Sequence, residues 1–170
     1  MKSHPTHRQI QSGMTLLELL VVLILVGVIA AAVTLSVGLA GPAAKVPEEA
    51  QRLARLIQLQ CQESVLRTEE LGVQIQEPGY LFLRWNGEGW EPRADRVFQP
   101  YRLDPSMELA LSIDGRPANT ATADDQPQVV CYSSGEMTSF ELSIGVVQQP
   151  RRYLLRGAAD GELTLAGWQS

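Results

Sequence analysis

The chain has 170 residues, 45% of them apolar and 19% charged, a composition that fits one modest folded domain with an appendage and excludes whole-chain disorder. Its formal charge of −5 excludes a general nucleic-acid binder, which would carry a basic patch to neutralise phosphates. Basic residues instead occur singly or as the pair Arg151-Arg152.

The apolar residues are unevenly placed. After a polar opening that carries Lys2 and Arg8, no charged residue stands between Glu18 and Lys45. Leu19 to Ala40 is a run of 22 residues interrupted only by Thr34 and Ser36. As a helix rising about 1.5 Å per residue it reaches roughly 33 Å, against a bilayer hydrocarbon core of about 30 Å. That length is enough to span. Lys2 and Arg8 precede the run, so the positive-inside tendency places the N-terminus in the cytoplasm and the rest of the chain across the membrane. An ordinary secretory signal peptide, with Ala30-Ala31-Ala32 as its cleavage site, and a plain single-span anchor are the competing readings. Neither accounts for Glu18. A carboxylate inside a membrane costs on the order of 2.5–3.5 kcal/mol at the bilayer centre and less near its edge, so an acid there points to function.

The segment Gly13-Met14-Thr15-Leu16-Leu17-Glu18-Leu19-Leu20-Val21-Val22-Leu23 resembles the cleavage and methylation motif of type IV pilins and type II secretion pseudopilins. The resemblance implies a peptidase cut after Gly13 on the cytoplasmic side, retention of the apolar segment, and N-methylation of the new terminal residue, Met14. Most family members carry Phe where this chain has Met14. Glu18 falls fifth from the new terminus, where the family carries its acid. A terminal ammonium and a carboxylate are each costly in lipid alone and less so as a pair. Stacked subunits could therefore set their axial register by pairing Glu18 of one with Met14 of the next. On this reading the leader is 1–13, the transmembrane and filament-core helix 14–40, and the periplasmic domain 41–170. Loss of the leader removes Lys2 and Arg8 but no acid, which leaves 12 basic against 19 acidic residues and a charge of −7.

Gly41-Pro42 and Pro47 predict a break in the helix, because proline lacks the amide hydrogen and clashes with the preceding turn. From about Glu48 to Arg67 an amphipathic helix is expected, with Leu53, Ile57, Cys61 and Val65 on one stripe and Leu56 alongside. After Gly72 the period changes to two. Val73–Gln76 and Tyr80–Trp85 flank Glu77-Pro78-Gly79 and read as a hairpin, with a further turn at Asn86-Gly87 and Gly89-Trp90. Met107 to Ile113 alternates and stops at Asp114-Gly115. Pro117 to Pro127 reads as a mobile loop. Strands are expected at Gln128–Tyr132, Phe140–Ile144, Tyr153–Arg156 and Glu162–Leu165, the last two joined by Asp160-Gly161. A long helix followed by antiparallel strands (about 72–170) predicts an α+β, pilin-like domain.

The stretch Asp125-Gln126-Pro127-Gln128-Val129-Val130-Cys131-Tyr132-Ser133-Ser134-Gly135-Glu136, continuing to Ser139-Phe140-Glu141-Leu142, is similar to the C-terminal part of the H-type minor pseudopilins of type II secretion. The Trp85…Trp90 step and the Asp160-Gly161 hairpin fit that family too. The minor pilins of type IV pili share the same domain pattern and stand as the alternative, with a membrane-anchored periplasmic binding domain beyond them. The resemblance implies a structural subunit near the tip of a pseudopilus that assists export of folded proteins across the outer membrane. Its partners would be other minor and major pseudopilins and an inner-membrane platform, with a prepilin peptidase/methyltransferase as processing enzyme.

Candidate chemistry is sparse. His4 and His7 both lie in the expected leader, so the mature chain would hold no histidine for catalysis or metal binding. Ser133-Ser134-Gly135 lacks the frame of a nucleophile elbow and reads as a turn. Asp124-Asp125 falls short of the six to eight oxygens that calcium takes. No catalysis, cofactor or metal is expected. Cys61 and Cys131 leave two readings open: two small buried apolar residues, or a disulfide, which the periplasm permits.

Overall fold

The structure is a computed structural model. It describes residues 16–38, 41–93, 95–120, 126–150 and 152–167, with the side chains of the first helix described from Leu16 to Ala30. The chain divides after Ala40 into two compact units, which are taken separately.

The first unit is helix α1, Leu16–Gly38, 23 residues long with Glu18 in its first turn. Every side chain from Leu16 to Ala30 is exposed. Among the described residues no helix is long and apolar enough to cross a membrane. Fifteen residues reach only about 22 Å, whereas the backbone helix continues to Gly38.

The second unit opens with a short 3₁₀ turn, Pro42–Ala44, and then helix α2, Val46–Arg67. Pro42 falls at the expected break. Pro47 does not break anything: it sits in the first turn of α2, where a missing amide hydrogen leaves no bond unmade. The helix ends at Thr68, whose φ of 55° is left-handed and whose amide bonds back to the Ser64 carbonyl. Its buried stripe is Val46, Ala50, Leu53, Ile57, Gln60 and Ser64, which differs from the four-residue steps expected at the far end. Each step of four overshoots the helical turn by about 40°, so by Val65 the stripe has turned into solvent. Gln60 and Ser64 take the inner positions instead.

Two antiparallel sheets lie against α2. The first has the order β3-β2-β1-β7, with β4 beside β2; the ranges are β1 Leu71–Gln76, β2 Gly79–Trp85, β3 Trp90–Pro92, β4 Tyr101–Arg102 and β7 Val129–Cys131. The second has the order β10-β9-β8-β5-β6. Its strands are β5 Met107–Ile113, β6 Arg116–Pro117, β8 Phe140–Val146, β9 Arg152–Gly157 and β10 Leu163–Gly167. The expected hairpin closes through Gln76 opposite Gly79. Gly79 has no alternative there, since a side chain would collide with the Tyr101 carbonyl on β4. One core joins α2 to both sheets through Leu53, Ile57, Val73, Phe82, Leu142 and Leu155.

The segment expected to be a mobile loop, Pro117–Pro127, is pinned at both described ends. The Ala118 amide donates to the Leu111 carbonyl at 2.8 Å, and the Thr120 carbonyl accepts from the Glu77 amide at 3.1 Å. Residues 121–125, with Asp124 and Asp125, lie outside the described residues. On the far side Val129 pairs with Val73, which would set Pro127 opposite Ile75, and proline has no hydrogen to give. The Gln128 side chain takes over: its Oε1 accepts from the Ile75 amide at 2.8 Å and its Nε2 donates to the Ile75 carbonyl at 3.0 Å.

Candidate assembly interface

Glu18 lies in the first turn of α1, amid exposed leucines and valines. A helix apolar on every side is stable only when lipid or other helices cover it. Gly13 and Met14, the expected cleavage and methylation positions, lie outside the described residues.

The second unit is built around α2, and three contacts fix that helix to the sheets. The first is covalent. Cys61 on α2 and Cys131 at the end of β7 form a disulfide, with Cα atoms 5.0 Å apart across 70 residues of sequence. One turn on, the Ser64 hydroxyl lies 2.8 Å from the Cys61 carbonyl and 3.2 Å from the Tyr132 carbonyl.

The second contact is at the start of the helix. The Tyr101 hydroxyl donates to Glu49 at 2.6 Å, and the Arg52 guanidinium lies 3.6 Å above the Tyr101 ring. Tyr80 packs against that ring at 5.3 Å. Burial pushes the Tyr80 hydroxyl well above the usual tyrosine range, with Arg52 pulling the other way. Burial, followed by the bond to Glu49, raises Tyr101 as well.

The third contact is at the other end. Arg93, only 7% exposed, bonds Glu63 on α2 at 2.7 Å and Asp95 at 2.8 Å, with its guanidinium 3.8 Å over Phe98. Burial pushes the Asp95 carboxyl up. The Phe98 amide, the Arg93 charge and bond, and the Val97 amide together hold it below the usual carboxylate range. Sequence reading found neither arginine cluster, because their members lie 30 to 52 positions apart and no local pattern links them. Only the isolated Tyr and Phe beside Arg in 93–102 hint at it.

Outside these contacts α2 presents Leu59, Val65 and Leu66 to solvent. Beside them a groove of about 480 Å³ runs between α2 and β10, floored by Ile57, Met137 and Leu163. Trp85 and Trp90 stack edge to face at 5.6 Å across the β2–β3 turn. Among the described residues no group of three or more His, Cys, Asp and Glu side chains gathers closely enough to hold a metal. The arrangement ties one helix to both sheets and leaves apolar and aromatic surface beside it.

An N-terminal apolar helix with an acid in its first turn, carried by a domain of one helix on antiparallel sheets, defines a prepilin-type subunit. The prokaryotic N-terminal methylation motif matches residues 8–34. The family described as type II transport protein GspH matches residues 49–161, and the chain belongs to that family. The type II secretion system protein H of Pseudomonas aeruginosa is 34% identical over 143 residues, covering 78% of this chain and 81% of that one. Its counterpart from Aeromonas hydrophila is 30% identical, covering 90% and 91%. The crystal structure of the minor pseudopilin EpsH from the type II secretion system of Vibrio cholerae superposes with a TM-score of 0.64 at 25% identity, covering 75% of this chain and 98% of that one. The solution structure of Escherichia coli GspH, 15% identical with a TM-score of 0.57, shares the fold.

Proposed function

We propose that this chain is a non-catalytic subunit near the tip of the type II secretion pseudopilus, where it assists export of folded proteins across the outer membrane. It is anchored in the inner membrane with its N-terminus cytoplasmic and its domain periplasmic. The 22-residue apolar run Leu19–Ala40 and the methylation motif over residues 8–34 support the anchor. The peptidase cuts between Gly13 and Met14, and Met14 is then N-methylated. Glu18 pairs with the Met14 amine of a neighbouring subunit. Other minor and major pseudopilins and the inner-membrane platform are its partners.

The observation that carries the reading is α1 itself. A helix with all side chains from Leu16 to Ala30 exposed needs a cover of lipid or of other such helices, and the domain has its own core without it. A type IV pilus role is not favoured, since the relatives above are type II secretion proteins. Intact mass of the membrane-extracted protein tests the processing: a terminus at Met14, 14 Da heavier for one methyl group, is expected. A terminus after Ala32 or an uncut chain from Met1 overturns the reading. Glu18→Ala is expected to insert normally, because a costly polar group is removed, and to fall in pseudopilus incorporation. Wild-type incorporation and secretion by that variant would remove the pairing argument. Deleting the gene is expected to trap folded exoproteins in the periplasm while export across the inner membrane continues; loss of surface pili with normal secretion would reassign it.

A further inference from the structure

The two sulfurs of the Cys61–Cys131 bridge are buried unequally. Cys131 is 0% exposed; it stands in β7, paired with Leu71 on one side and Met137 on the other. Cys61 is part-buried on α2 and lines the groove between α2 and β10. In thiol–disulfide exchange a thiolate must reach the sulfur that it attacks, and a cysteine sealed in a core is inert. Of the two sulfurs, Cys61 is the one that offers an approach.

The surroundings of that approach are apolar. Met137 and Leu163 lie below it, and Val65 and Leu66, 47% and 83% exposed, stand at its side. Among the described residues Asp160 is the one charge in the lining. Exposed apolar side chains gathered round a concave site mark a place where another protein sits. A small anionic thiol gains little from leucine and valine, and the formal charge of −5 opposes its approach. The groove therefore favours a protein that carries its thiol on an apolar face.

We propose that this groove is the docking site of a protein thiol–disulfide oxidoreductase, and that the bridge is made and opened through Cys61. In closing, the Cys61 thiolate attacks the disulfide of the oxidoreductase, which forms a mixed disulfide and releases one of its thiolates. The Cys131 thiolate then attacks the Cys61 sulfur. The oxidoreductase leaves as a dithiol, with the two electrons and two protons that the chain has lost. Opening reverses these steps: a thiolate of the oxidoreductase attacks Cys61, and Cys131 departs as a thiolate. Burial disfavours that anion, so opening is the slow direction and a closed bridge stays closed.

The probe is a Cys-X-X-Cys oxidoreductase whose second cysteine is changed to alanine, so that it attacks a disulfide and cannot release itself. It is added in excess to the oxidised full chain in detergent micelles, the reaction is stopped with acid, and the adduct is mapped by peptide mass. The adduct is expected on Cys61, with Cys131 left as a free thiol. An adduct on Cys131, equal amounts on both, or no adduct without urea overturns the proposal. Docking is tested by Leu66→Ser, at a position 83% exposed. Loss of that apolar contact is expected to slow adduct formation about tenfold, with the melting temperature and the rate with reduced glutathione unchanged. An unchanged rate with the oxidoreductase overturns docking in the groove. So does equal slowing with glutathione, which would place the effect at the bond itself. Should Leu66→Ser fail to fold, Val65→Ser takes its place. The readout is a sulfur and not secretion, so failure here leaves the subunit reading untouched.

Discussion

Arg52 and Arg93 brace opposite ends of α2 in the same way, each pairing with an acid and laying its guanidinium on an aromatic ring. Their surroundings differ. Arg93 is almost covered and holds both Glu63 and Asp95, whereas Arg52 is partly open. Arg93→Ala leaves the Glu63 carboxylate half-buried without its main partner, a loss of about 2–4 kcal/mol. Arg93→Lys recovers only part of it, because an ammonium cannot reproduce the flat fork that serves two carboxylates and a ring. Urea unfolding of the three proteins checks both, and an Arg93→Ala midpoint equal to wild type would show the cluster to be ornamental. Tyr80 poses the opposite case. Among the described residues its buried hydroxyl has no hydrogen-bond partner, so Tyr80→Phe is expected to be neutral or to stabilise by up to about 1 kcal/mol. The sign with pH follows from burial. The folded hydroxyl titrates above the ordinary value near 10, so stability is whole below that value and falls as pH rises beyond it. Melts between about pH 9 and 11 should fall less steeply in Tyr80→Phe. An identical slope would place the alkaline loss elsewhere.

At the scale of elements, α2 shows how far sequence pattern reaches. The apolar period located the helix and its core face near Leu53 and Ile57, and the switch to a period of two located the β1–β2 hairpin and β5. What pattern could not supply was partnership. Cys61 and Cys131 read as free core residues at least as readily as a bridge until β7 was placed beside the helix. Gln128 looked like a strand residue, yet its side chain stands in for the backbone bond that Pro127 cannot make. The division of the strands into two sheets was equally hidden, because local alternation does not say which strands become neighbours. Glu18 stands out for the opposite reason: an acid in a long apolar run is conspicuous in the sequence by itself. The disulfide makes the strongest element-scale prediction. It closes a loop of 70 residues between the helix and the edge of the first sheet. In the chain-entropy model such a loop contributes about 4 kcal/mol, much of a small domain's stability of about 5–15 kcal/mol. Melting with and without reductant should differ by well over ten degrees, since about 1 kcal/mol moves the midpoint of a domain this size by roughly 3–6 °C. Two titratable thiols in the unreduced, unfolded protein, with no reductant effect, would sink the bridge.

For the whole molecule the question is where independence begins. The chain divides after Ala40, and Val46, only 3% exposed, already belongs to the core. A cut at Pro47 would therefore take away a core side chain and the 3₁₀ turn before it, whereas a cut at Gly41 keeps both. The fragment 41–170 is expected to be a soluble monomer that melts in one cooperative step, because its core is closed by residues it contains. The full chain carries fifteen exposed residues from Leu16 to Ala30, and it is expected to need detergent or lipid, as an apolar surface that large associates in water. A third fragment, 71–170, separates the parts further. It keeps both sheets but loses Ala50, Leu53 and Ile57, each at most 1% exposed, and with them the layer on which the sheets close. Burying a single large aliphatic side chain is worth about 1.5–3 kcal/mol, so losing two of them with the rest of the helix exceeds what a marginally stable domain holds in reserve. Circular dichroism, thermal melting and sedimentation of the three chains test this together. A sharp melt for 71–170 would show that α2 is a passenger on a self-sufficient β domain. Aggregation of 41–170 in plain buffer would show that the domain does not close its own apolar surface.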